Sequence, residues 1–397
     1  MIKKYIHIFD DDKFIDPAIK LFEEVIPEQS VYYIIQSKNT EFRYVKSSNV
    51  AKVDLSIIKE KNELLDFINS DTNHVVFIHA LNYEKQQLIF GILPDIKKVW
   101  FIWGYDLYGS WPLLKQNIYL PVTKSILEIK TNFKTRLIYN SFSFFLFHKR
   151  KIIKRINKKM FTVLNNAFDT SFYKTAKLVD FIAPVVPAEY RIIKNMNLKA
   201  EYVPFTYGCI EDLLGSNIDK NVMHQPNILV GNSADPSNNH LDIFLKLSDL
   251  DLRDRKIYVP LSYSGNDKYK EQVLRKGYEL FGDKFCPLTQ FMPLDEYNEI
   301  LLSCGTLVFS HIRQQGVGNI IVSAYLGARI FLNEKSPVYE YYRSEGLKVF
   351  PTRELSKKLN VSLKEKELQG NREKIFNLYN REAAHEKIKK LIQIVEK

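Results

Sequence analysis

The sequence predicts an α/β protein made of two domains, each built on a parallel sheet. Short apolar runs alternate with helix-like stretches in both halves of the 397-residue chain, and this alternation is typical of parallel sheets with helices on both faces. Residues 205–226 mix turn formers without clear periodicity and separate the two series. Two α/β domains of similar size, with a cleft between them, would each bind ligands beyond the carboxyl ends of their strands.

The N-terminal domain is expected to span residues 1–205. Its predicted strands are Tyr5–Phe9, Ser30–Ile35, His74–Ile78, Val99–Ile102, Phe181–Ala183 and Lys199–Pro204, and its predicted helices are Pro17–Val25, Ser56–Asn69, Glu84–Gly91 and Pro187–Asn195. The C-terminal domain, residues 206–380, has the predicted strands Asn227–Val230, Lys256–Pro260, Thr306–Phe309, Arg329–Leu332 and Lys348–Phe350, and the predicted helices Asn239–Leu247, Lys268–Phe281, Pro293–Ser303, Gly318–Leu326 and Ser336–Glu345. Residues 381–397 form a predicted amphipathic helix that could cross back to the N-terminal domain.

Most of the excess positive charge lies in one segment. The chain has 57 Lys+Arg and 46 Asp+Glu, a formal net charge of +11. Between Glu128 and Asp169 there is no acidic residue, whereas ten Lys and Arg side chains fall between Lys130 and Lys159. Charge concentrated in this way argues against a general nucleic-acid-binding surface and for one local anionic partner.

Residues 130–160, here called the basic segment, include the whole apolar aromatic run LIYNSFSFFLF (137–147) and the charges that follow it. The run is too short to span a bilayer, which takes about 20 residues, and the N-terminus lacks the features of a signal peptide. Aromatic residues beside a polybasic stripe are typical of a segment that lies in the membrane interface. A solvated basic surface is the alternative.

The strongest local motif is ILVGNSADPSNNHLDIF, residues 228–244. A buried strand runs into Gly231, Asn232 and Ser233, and a helix starts near Asn238 or Asn239. Backbone N–H groups at such a strand exit, together with the positive end of the helix dipole, can hold a diphosphate. Ordinary turn and N-cap chemistry is the alternative interpretation.

A second candidate phosphate loop follows the predicted strand at 306–309. Its polar and glycine residues are Arg313, Gln314, Gln315, Gly316, Gly318 and Asn319, and a predicted helix comes next. The G-x-G pair lacks the third glycine of a dinucleotide-binding fingerprint. Backbone amides with a forked guanidinium suit the diphosphate of a nucleotide sugar, whereas a helix start beside a solvent-facing arginine is the alternative.

Two residues of the N-terminal domain are candidates for a general base. Asp106 follows a predicted strand inside the aromatic stretch VWFIWGYDLYGSW, and aromatic rings around a carboxylate are typical of sugar binding and raise its basicity. His79 ends another predicted strand and could take a proton near neutral pH, although a structural histidine is the commoner case there. The run Asp10–Asp12 resembles a metal-binding D-x-D motif, but no further carboxylate cluster accompanies it, so we expect it to cap a helix or contact the acceptor.

Taken in order, the motifs FIWGYDLYG, ILVGNSADPSNNH, FMPLDEY and IRQQGVGN resemble those of the TDP-N-acetylfucosamine:lipid II N-acetylfucosaminyltransferases, the 4-alpha-L-fucosyltransferase-like glycosyltransferase family 56. The resemblance implies a GT-B glycosyltransferase, with two Rossmann-like domains facing across a cleft. It implies an acceptor bound mainly by the N-terminal domain, a nucleotide sugar bound by the C-terminal domain, and no metal or other cofactor. In this chain Ala80 stands where the family often has glycine.

The expected reaction is glycosyl transfer from a dTDP- or UDP-sugar, carrying a 4-acetamido-4,6-dideoxygalactose-like sugar, to a lipid-linked or surface glycan. Arg313 would offset the leaving-group charge, Tyr263 would contact the nucleotide, and His240, Gln314 and Gln315 would contact the sugar or phosphate. The resemblance implies a lipid-diphosphate-linked acceptor, so the enzyme would be cytoplasmic and peripheral on the inner face of the membrane. Two alternatives are an acceptor-independent, epimerase-like enzyme and a non-catalytic nucleotide-sugar or lipid-binding module; nucleic acid is not an expected partner.

Overall fold

The computed structural model describes residues 4–115, 117–129, 132–361 and 363–397. Contacts within the chain divide it into two compact units. Unit 1 comprises residues 1–116, 131–208 and 381–397, and unit 2 comprises residues 117–130 and 209–380. The C-terminal helix is therefore part of unit 1, and the short segment around residue 120 is part of unit 2.

The elements follow one another along the described chain in this order. The strands are β1 (Tyr5–Phe9), β2 (Ser30–Ile35), β3 (Val50–Val53), β4 (Val75–His79), β5 (Lys97–Ile102), β6 (Phe181–Pro184), β7 (Glu201–Tyr202), β8 (Ile228–Val230), β9 (Ile257–Pro260), β10 (Phe285–Leu288), β11 (Thr306–Phe309), β12 (Arg329–Leu332) and β13 (Phe350–Pro351). The α-helices are α1 (Ile15–Val25), α2 (Ile58–Asn69), α3 (Tyr83–Ile89), α4 (Tyr105–Ser110), α5 (Pro112–Lys115), α6 (Pro121–Ile126), α7 (Phe133–Ile138), α8 (Ser141–His148), α9 (Arg150–Ile156), α10 (Lys158–Phe168), α11 (Ser171–Ala176), α12 (Tyr190–Asn195), α13 (Ile210–Leu214), α14 (His240–Ser248), α15 (Asp267–Phe281), α16 (Leu294–Leu302), α17 (Val317–Tyr325), α18 (Pro337–Ser344), α19 (Leu355–Lys358), α20 (Glu365–Tyr379) and α21 (Arg381–Val395).

Unit 1 is built on a seven-stranded sheet with the order β3-β2-β1-β4-β5-β6-β7. Its neighbouring strands run parallel; Tyr5 of β1, for example, pairs with Ser30 on one side and with Val75 on the other. β1 and β4 are buried along their whole length, as expected for a parallel sheet covered on both faces. The strand order reverses between β1 and β4, because the chain first builds outward to β3 and then returns.

Unit 2 has a six-stranded parallel sheet with the order β10-β9-β8-β11-β12-β13. Its core includes the apolar side chains of β8, β9 and β11 together with Phe244 and Leu247 of α14. The strand order reverses between β8 and β11, so both units repeat the same arrangement. The predicted α/β architecture with parallel sheets is confirmed.

Two strands that the sequence did not predict, β3 and β10, lie at the edges of the two sheets. β3 contains Lys52 and β10 contains Pro287. A lysine or a proline is typical of an edge strand, because an edge is paired on one side only. Short edge strands of this composition lack the continuous apolar run by which the central strands were predicted.

Residues 130 and 131 lie outside the described residues, and most of the remaining basic segment folds into the helices α7, α8, α9 and the start of α10. Phe144 and Phe147 of α8 are buried, and both pack within 6 Å of the Phe168 ring. The neighbouring side chains Phe142 and Phe145 are exposed. One aromatic face of α8 therefore packs against the rest of unit 1, and a second aromatic face is exposed. Within the described residues, no helix is long and apolar enough to cross a membrane.

Candidate active site

The loops that follow β8 and β11 meet at the carboxyl edge of the unit 2 sheet, where the strand order reverses. Ligands of open parallel sheets bind in the crevice that forms at such a point, because the loops on its two sides lead away in opposite directions. β8 continues into Gly231–Ser233, and β11 continues into the loop that holds Arg313 to Gly316. The structure thus brings together the two phosphate loops that the sequence predicted.

Asn238 and Gln315 join these loops to one another. Asn238 Oδ1 accepts hydrogen bonds from the backbone N–H of Asn232 at 2.8 Å and from His311 Nε2 at 2.7 Å. Gln315 Nε2 donates to Asn232 Oδ1 at 3.0 Å and lies 3.2 Å from Ser233 Oγ. A polar network of this density fixes the course of the backbone on both sides of the crevice.

Arg313 is the main cation of the site. Its Nε donates to Ser237 Oγ at 2.9 Å, its Nη1 donates to the Gln314 carbonyl oxygen at 3.2 Å, and its Nη2 lies 3.8 Å from Asp235 Oδ1. The side chain is only 10% exposed. The guanidinium is therefore held in one orientation before any ligand arrives, which is how an arginine contributes most to binding an anion.

The two histidines of the site are buried and uncharged. Burial lowers the pKa of His240 to about 3. Burial, followed by the neighbouring charge of Arg313, holds the pKa of His311 well below its usual value. His240 Nδ1 lies 3.4 Å from the Tyr269 hydroxyl, whereas its Nε2 has no hydrogen-bond partner among the described residues. A neutral ring in this setting can offer an N–H donor at Nε2 to a ligand oxygen.

Glycine is required at two positions of these loops. Gly231 has φ +69°, and a Cβ there would lie 2.6 Å from His240 Nε2 and 2.7 Å from Asn238 Oδ1. Gly316, with φ +65°, would place a Cβ 2.6 Å from the Phe309 ring. Both contacts are far shorter than van der Waals distance, so each loop follows its path only because it has no side chain there.

The other predicted donor-site residues surround this centre. The Tyr263 carbonyl oxygen accepts a hydrogen bond from the backbone N–H of Ala234 at 2.9 Å, which ties its loop to the one after β8. Gln314 is buried, and its Oε1 has no partner among the described residues. Asn319 Nδ2 donates to the Tyr297 hydroxyl at 2.8 Å, so its side chain already has a structural contact.

Sequence reasoning missed several residues of this site: Ser237, Asn238, His311 and Tyr119. The chain neighbours of Tyr119, Ile118 and Leu120, hydrogen-bond with Asn239, which places this tyrosine beside the loop that follows β8. Burial raises the pKa of Tyr119, with Asp235 adding to the effect and Arg313 opposing it. Ser237 and Asn238 lie inside the quoted motif, where an Asp-Pro-Ser-Asn-Asn run signals more polar side chains than a turn needs. No local signal marks Tyr119, because its segment joins unit 2 through long-range contacts.

Those long-range contacts come from α14. The Asp242 carboxylate accepts hydrogen bonds from the backbone N–H groups of Val122 at 2.9 Å and Thr123 at 3.0 Å. Asn239 Oδ1 accepts one from the backbone N–H of Leu120 at 2.7 Å. The side chains of Asn239, just before α14, and Asp242, within α14, therefore satisfy free N–H groups at the start of α6. They hold this segment beside the loop that follows β8.

In unit 1, Asp106 is buried, and both oxygens of its carboxylate accept hydrogen bonds. Its Oδ2 accepts hydrogen bonds from the backbone N–H of Leu81 at 2.8 Å and from Trp100 Nε1 at 2.7 Å, and its Oδ1 accepts one from the backbone N–H of Trp103 at 3.1 Å. Burial raises the pKa of Asp106, and these hydrogen bonds oppose the shift. The carboxylate thus connects the ends of β4 and β5; its role as the base stays a prediction.

His79 is equally enclosed. Its ring stacks on Phe9 at 3.9 Å and on Phe101 at 4.2 Å between centroids. Its Nδ1 lies 2.7 Å from the Tyr207 hydroxyl, and its Nε2 lies 3.3 Å from Nδ1 of His7. Burial, followed by the proximity of His7, holds the pKa of His79 well below its usual value. In this state His79 is a neutral core residue, and its catalytic role also stays a prediction.

In the sheet of unit 1 the corresponding crevice lies between the ends of β1 and β4, and Asp10, Asn82 and Lys85 lie there. Asn82 Nδ2 donates to both carboxylate oxygens of Asp10, and Lys85 Nζ lies 2.8 Å from Asp10 Oδ2. Among the described residues, no group of three His, Cys, Asp or Glu side chains is placed to hold a metal ion.

Solved structures share this architecture over the full chain. The sucrose-phosphate synthase of Thermosynechococcus elongatus is 10% identical, with a TM-score of 0.63 and a match covering 99% of each chain. HepE of Anabaena, in complex with UDP and glucose, is 8% identical, with a TM-score of 0.62 over 98% of this chain and 100% of the other. The α,α-trehalose 6-phosphate synthase of Burkholderia multivorans is 8% identical, with a TM-score of 0.60 over 100% and 97%. The fold is that of the GT-B glycosyltransferases.

The sequence then identifies the family. Residues 194–392, half of the chain, match the family described as 4-alpha-L-fucosyltransferase, glycosyl transferase group 56. The chain belongs to this family and is a glycosyltransferase. The resemblance drawn from the sequence motifs is confirmed, and of the three functions considered from the sequence the transferase is the one supported.

Proposed function

We propose that this enzyme transfers a 4-acetamido-4,6-dideoxygalactose-like sugar from a dTDP- or UDP-sugar to a lipid-diphosphate-linked glycan. The observation that carries the proposal is the hydrogen-bond network at the unit 2 crevice. Two glycine-containing loops, the fixed Arg313 and the buried His240 line this crevice, where a diphosphate would bind. A deoxyhexose donor is supported by the family, described as a fucosyltransferase. A nucleotide diphosphate is supported by the related fold of HepE, which was solved with UDP and glucose.

The diphosphate would lie against the backbone amides of Gly231–Ser233 and the first turn of α17. The first turn of a helix has N–H groups without intrahelical partners, and they favour negative charge. A Cβ on Gly318, in that turn, would meet open space, so the backbone there is accessible from outside. His240 Nε2 would add a neutral donor beside Gly231.

Arg313 would stabilise the charge that develops on the leaving phosphate when the bond to the sugar breaks. A fixed cation and backbone donors in a site sheltered from water are the usual means of stabilising such charge. These groups can do the work that a divalent cation does in other transferases, so we propose that transfer needs no metal. The buried Oε1 of Gln314 has no partner among the described residues, and it would accept a hydrogen bond from a hydroxyl of the nucleotide sugar.

The basic segment would bring the enzyme to the lipid-linked acceptor. Phe142 and Phe145 of α8 are 69% and 56% exposed, and Ile152 and Ile156 of α9 are 59% and 82% exposed. Spacings of three and four residues place each pair on one helix face. Exposed lysines and arginines flank these apolar residues, which is the composition of helices that lie in the interface of anionic membranes. We therefore propose a peripheral location on the inner face of the cytoplasmic membrane.

A binding screen tests the donor half of the proposal. The enzyme is titrated with dTDP-, UDP- and GDP-sugars, and its thermal unfolding is followed, since a ligand stabilises the folded state according to its affinity. We expect stabilisation by a dTDP- or UDP-sugar. Arg313→Ala should weaken that binding by about tenfold to a hundredfold, because a hydrogen bond to a charged group contributes about 1.5–3 kcal/mol.

The matched control is Arg275→Ala. Arg275 lies on α15 of the same unit, is 62% exposed and pairs with Glu279, so its removal should leave donor binding unchanged. Equal donor affinity in wild type and Arg313→Ala would contradict the proposed site. Conversion of the donor at full rate without an acceptor would favour the epimerase-like function instead.

A further inference from the structure

At the crevice of the unit 1 sheet, the partly exposed carboxylate of Asp10 pairs with the buried side chain of Lys85. The strand order reverses between β1 and β4, so the loops after these two strands border the place where a second ligand would bind. Asp10 directly follows β1, and Asn82 and Lys85 follow β4. Both candidate bases that the sequence suggested, Asp106 and His79, are at most 1% exposed, whereas the Asp10 side chain is 27% exposed.

Lys85 is the unusual feature of this arrangement. The side chain is completely buried, and its Nζ lies 2.8 Å from Asp10 Oδ2 and donates to the His79 carbonyl oxygen. Burying an ammonium group costs several kcal/mol unless it is paired. The ion pair with Asp10 therefore offsets the cost of burying Lys85, and the fixed ammonium group orients the Asp10 carboxylate.

The remaining contacts of Asp10 fix its plane. Asn82 Nδ2 donates to Oδ1 at 3.1 Å and lies 3.2 Å from Oδ2, and the Tyr105 hydroxyl donates to Oδ2 at 3.2 Å. Asn82 is itself fixed, since its Oδ1 caps α3 by accepting from the backbone N–H of Lys85. Among the described residues Oδ2 takes most of the contacts, and Oδ1 keeps lone pairs for a ligand.

The next two aspartates have different tasks. The Asp11 carboxylate accepts hydrogen bonds from the backbone N–H groups of residues 43–45. Asp12 Oδ1 accepts from the backbone N–H of Phe14, just before α1. Neither arrangement resembles a shared metal site. Asp10 differs from both, because its carboxylate contacts Lys85 and Asn82 at the place where the strand order reverses between β1 and β4.

Three exposed aromatic residues follow strands β1, β4 and β5 at this edge of the sheet, and one of them, Tyr105, donates a hydrogen bond to the Asp10 carboxylate. Phe14, Tyr83 and Tyr105 are 37%, 69% and 43% exposed, and they follow the carboxyl ends of β1, β4 and β5 respectively. Aromatic faces next to a carboxylate are a typical environment for a sugar ring, because the ring packs on apolar faces while its hydroxyls bond to the carboxylate. The ligand class indicated for this crevice is therefore a carbohydrate hydroxyl.

We infer that Asp10 is the general base that activates the acceptor hydroxyl, with Lys85 and Asn82 as positioning residues. The acceptor oxygen forms the new bond to C1 of the donor sugar while the bond from C1 to the phosphate oxygen breaks. The hydroxyl proton passes to Asp10, and the electron pair of the broken bond stays on the nucleoside diphosphate. Because this is a single displacement, the configuration at C1 is inverted.

The test compares wild type, Asp10→Asn, Asp10→Glu and Asp66→Asn. The assay uses dTDP-4-acetamido-4,6-dideoxygalactose and a short-chain polyprenyl-diphosphate glycan, so the choice of substrates rests on the proposed function. Asp10→Asn should lower kcat by about 10²- to 10⁴-fold, the usual contribution of a general base, with unchanged nucleotide affinity. Asp10→Glu should retain more activity than Asp10→Asn. Asp66→Asn, an exposed change on α2, should behave as wild type.

Several results would overturn the inference. They are wild-type kcat in Asp10→Asn, equal activity of the Asn and Glu variants, or retention of configuration in the product by NMR. If wild type transfers nothing from this substrate pair, the proposed substrates are wrong. The variants are then compared for slow hydrolysis of whichever nucleotide sugar binds in the screen, where water replaces the acceptor. Equal hydrolysis by wild type and Asp10→Asn would reject Asp10 as the base.

Discussion

Asp106 shows how a buried carboxylate can join two loops. It accepts hydrogen bonds from Leu81 and Trp103 backbone N–H groups and from the Trp100 indole. An asparagine has only one acceptor oxygen, so in Asp106→Asn one of these donors would face an N–H₂ group. Leaving a buried donor unsatisfied costs about 1–3 kcal/mol.

We therefore expect Asp106→Asn to lower the free energy of unfolding by about 1–3 kcal/mol, measured by urea denaturation. Asp66→Asn on α2 is the control and should change stability by less than about 0.5 kcal/mol. If Asp106 were the base instead, turnover would be lost while stability stayed at the wild-type value. The two measurements together assign the residue.

Gly231 offers a second prediction, on the donor side. With φ +69° and a Cβ position 2.6 Å from His240 Nε2, Gly231→Ala should destabilise the protein by about 2 kcal/mol, since the left-handed conformation alone costs roughly 1–2 kcal/mol. It should also weaken nucleotide binding, because His240 and Asn238 must move. Binding and urea denaturation are measured on the same variant.

The control for this glycine lies in α20. A Cβ on Gly370 would meet open space, and alanine in a helix interior is favoured over glycine by roughly 0.5–1 kcal/mol. Gly370→Ala should therefore stabilise the protein and leave nucleotide binding unchanged. Stabilisation by both substitutions would mean that the tight loop around Gly231 is not formed in solution.

At the scale of elements, α8 and α9 carry the proposed membrane contact. Phe142→Ser with Phe145→Ser should weaken binding to vesicles that contain phosphatidylglycerol by at least about tenfold, since even partial burial of two rings, each contributing about 1.5–3 kcal/mol when fully buried, exceeds about 1.4 kcal/mol. Reversing the charges of the three residues Lys149, Arg150 and Lys151 should have a comparable effect. Added salt should weaken the binding of the wild-type protein to the vesicles. Vesicle sedimentation measures all of these changes.

Ile58→Ser is the control for exposed apolar surface outside the basic segment. Ile58 begins α2 and is 76% exposed, so its replacement should not alter vesicle binding. Binding to phosphatidylcholine vesicles should be weak for every variant. If the phenylalanine and charge-reversal variants sediment with anionic vesicles like wild type, the basic segment is a solvated surface.

Elements are also the level at which the sequence was most informative. Central strands such as β4 were predicted because a parallel sheet buried on both faces requires continuous apolar runs. The loops containing Gly231 and Arg313 were predicted because strand-to-helix junctions of this composition suit phosphates. Contacts distant in sequence could not be predicted: His311 meets Asn238, and Asp106 meets Leu81, only after the strand order is known.

Asp10 illustrates the same limit. In the sequence it is one of three adjacent aspartates, and adjacency suggests a shared task. In the structure the backbone sends Asp10, Asp11 and Asp12 to three different partners. The support from Lys85, 75 residues further along, depends on β1 and β4 being neighbours in the sheet. A single sequence gives the order of strands along the chain, but not their order in space.

For the whole molecule, the distribution of charge separates two kinds of anion binding. The net charge of +11 comes largely from the basic segment, where many exposed cations suit an extended anionic surface. The crevice of unit 2 instead presents one buried arginine, backbone amides and neutral histidines. Such a site recognises one diphosphate by geometry rather than by bulk charge.

This separation predicts which backbone amides become protected from hydrogen exchange when nucleotide is added without an acceptor. Nucleotide at 100 times its dissociation constant stabilises the bound state by about 2.7 kcal/mol, so amides in the loops after β8 and β11 should exchange with deuterium up to about a hundredfold more slowly. The segment 117–129 should be protected with them, because Asn239 and Asp242 attach it to α14. The loops of unit 1 around Asp10 and Asn82 should exchange as in the free enzyme. At the same nucleotide concentration, Arg313→Ala should reduce the protection to about twofold to tenfold, because its binding is expected to be tenfold to a hundredfold weaker. Equal protection in both units would show that residues of unit 1 also bind the nucleotide.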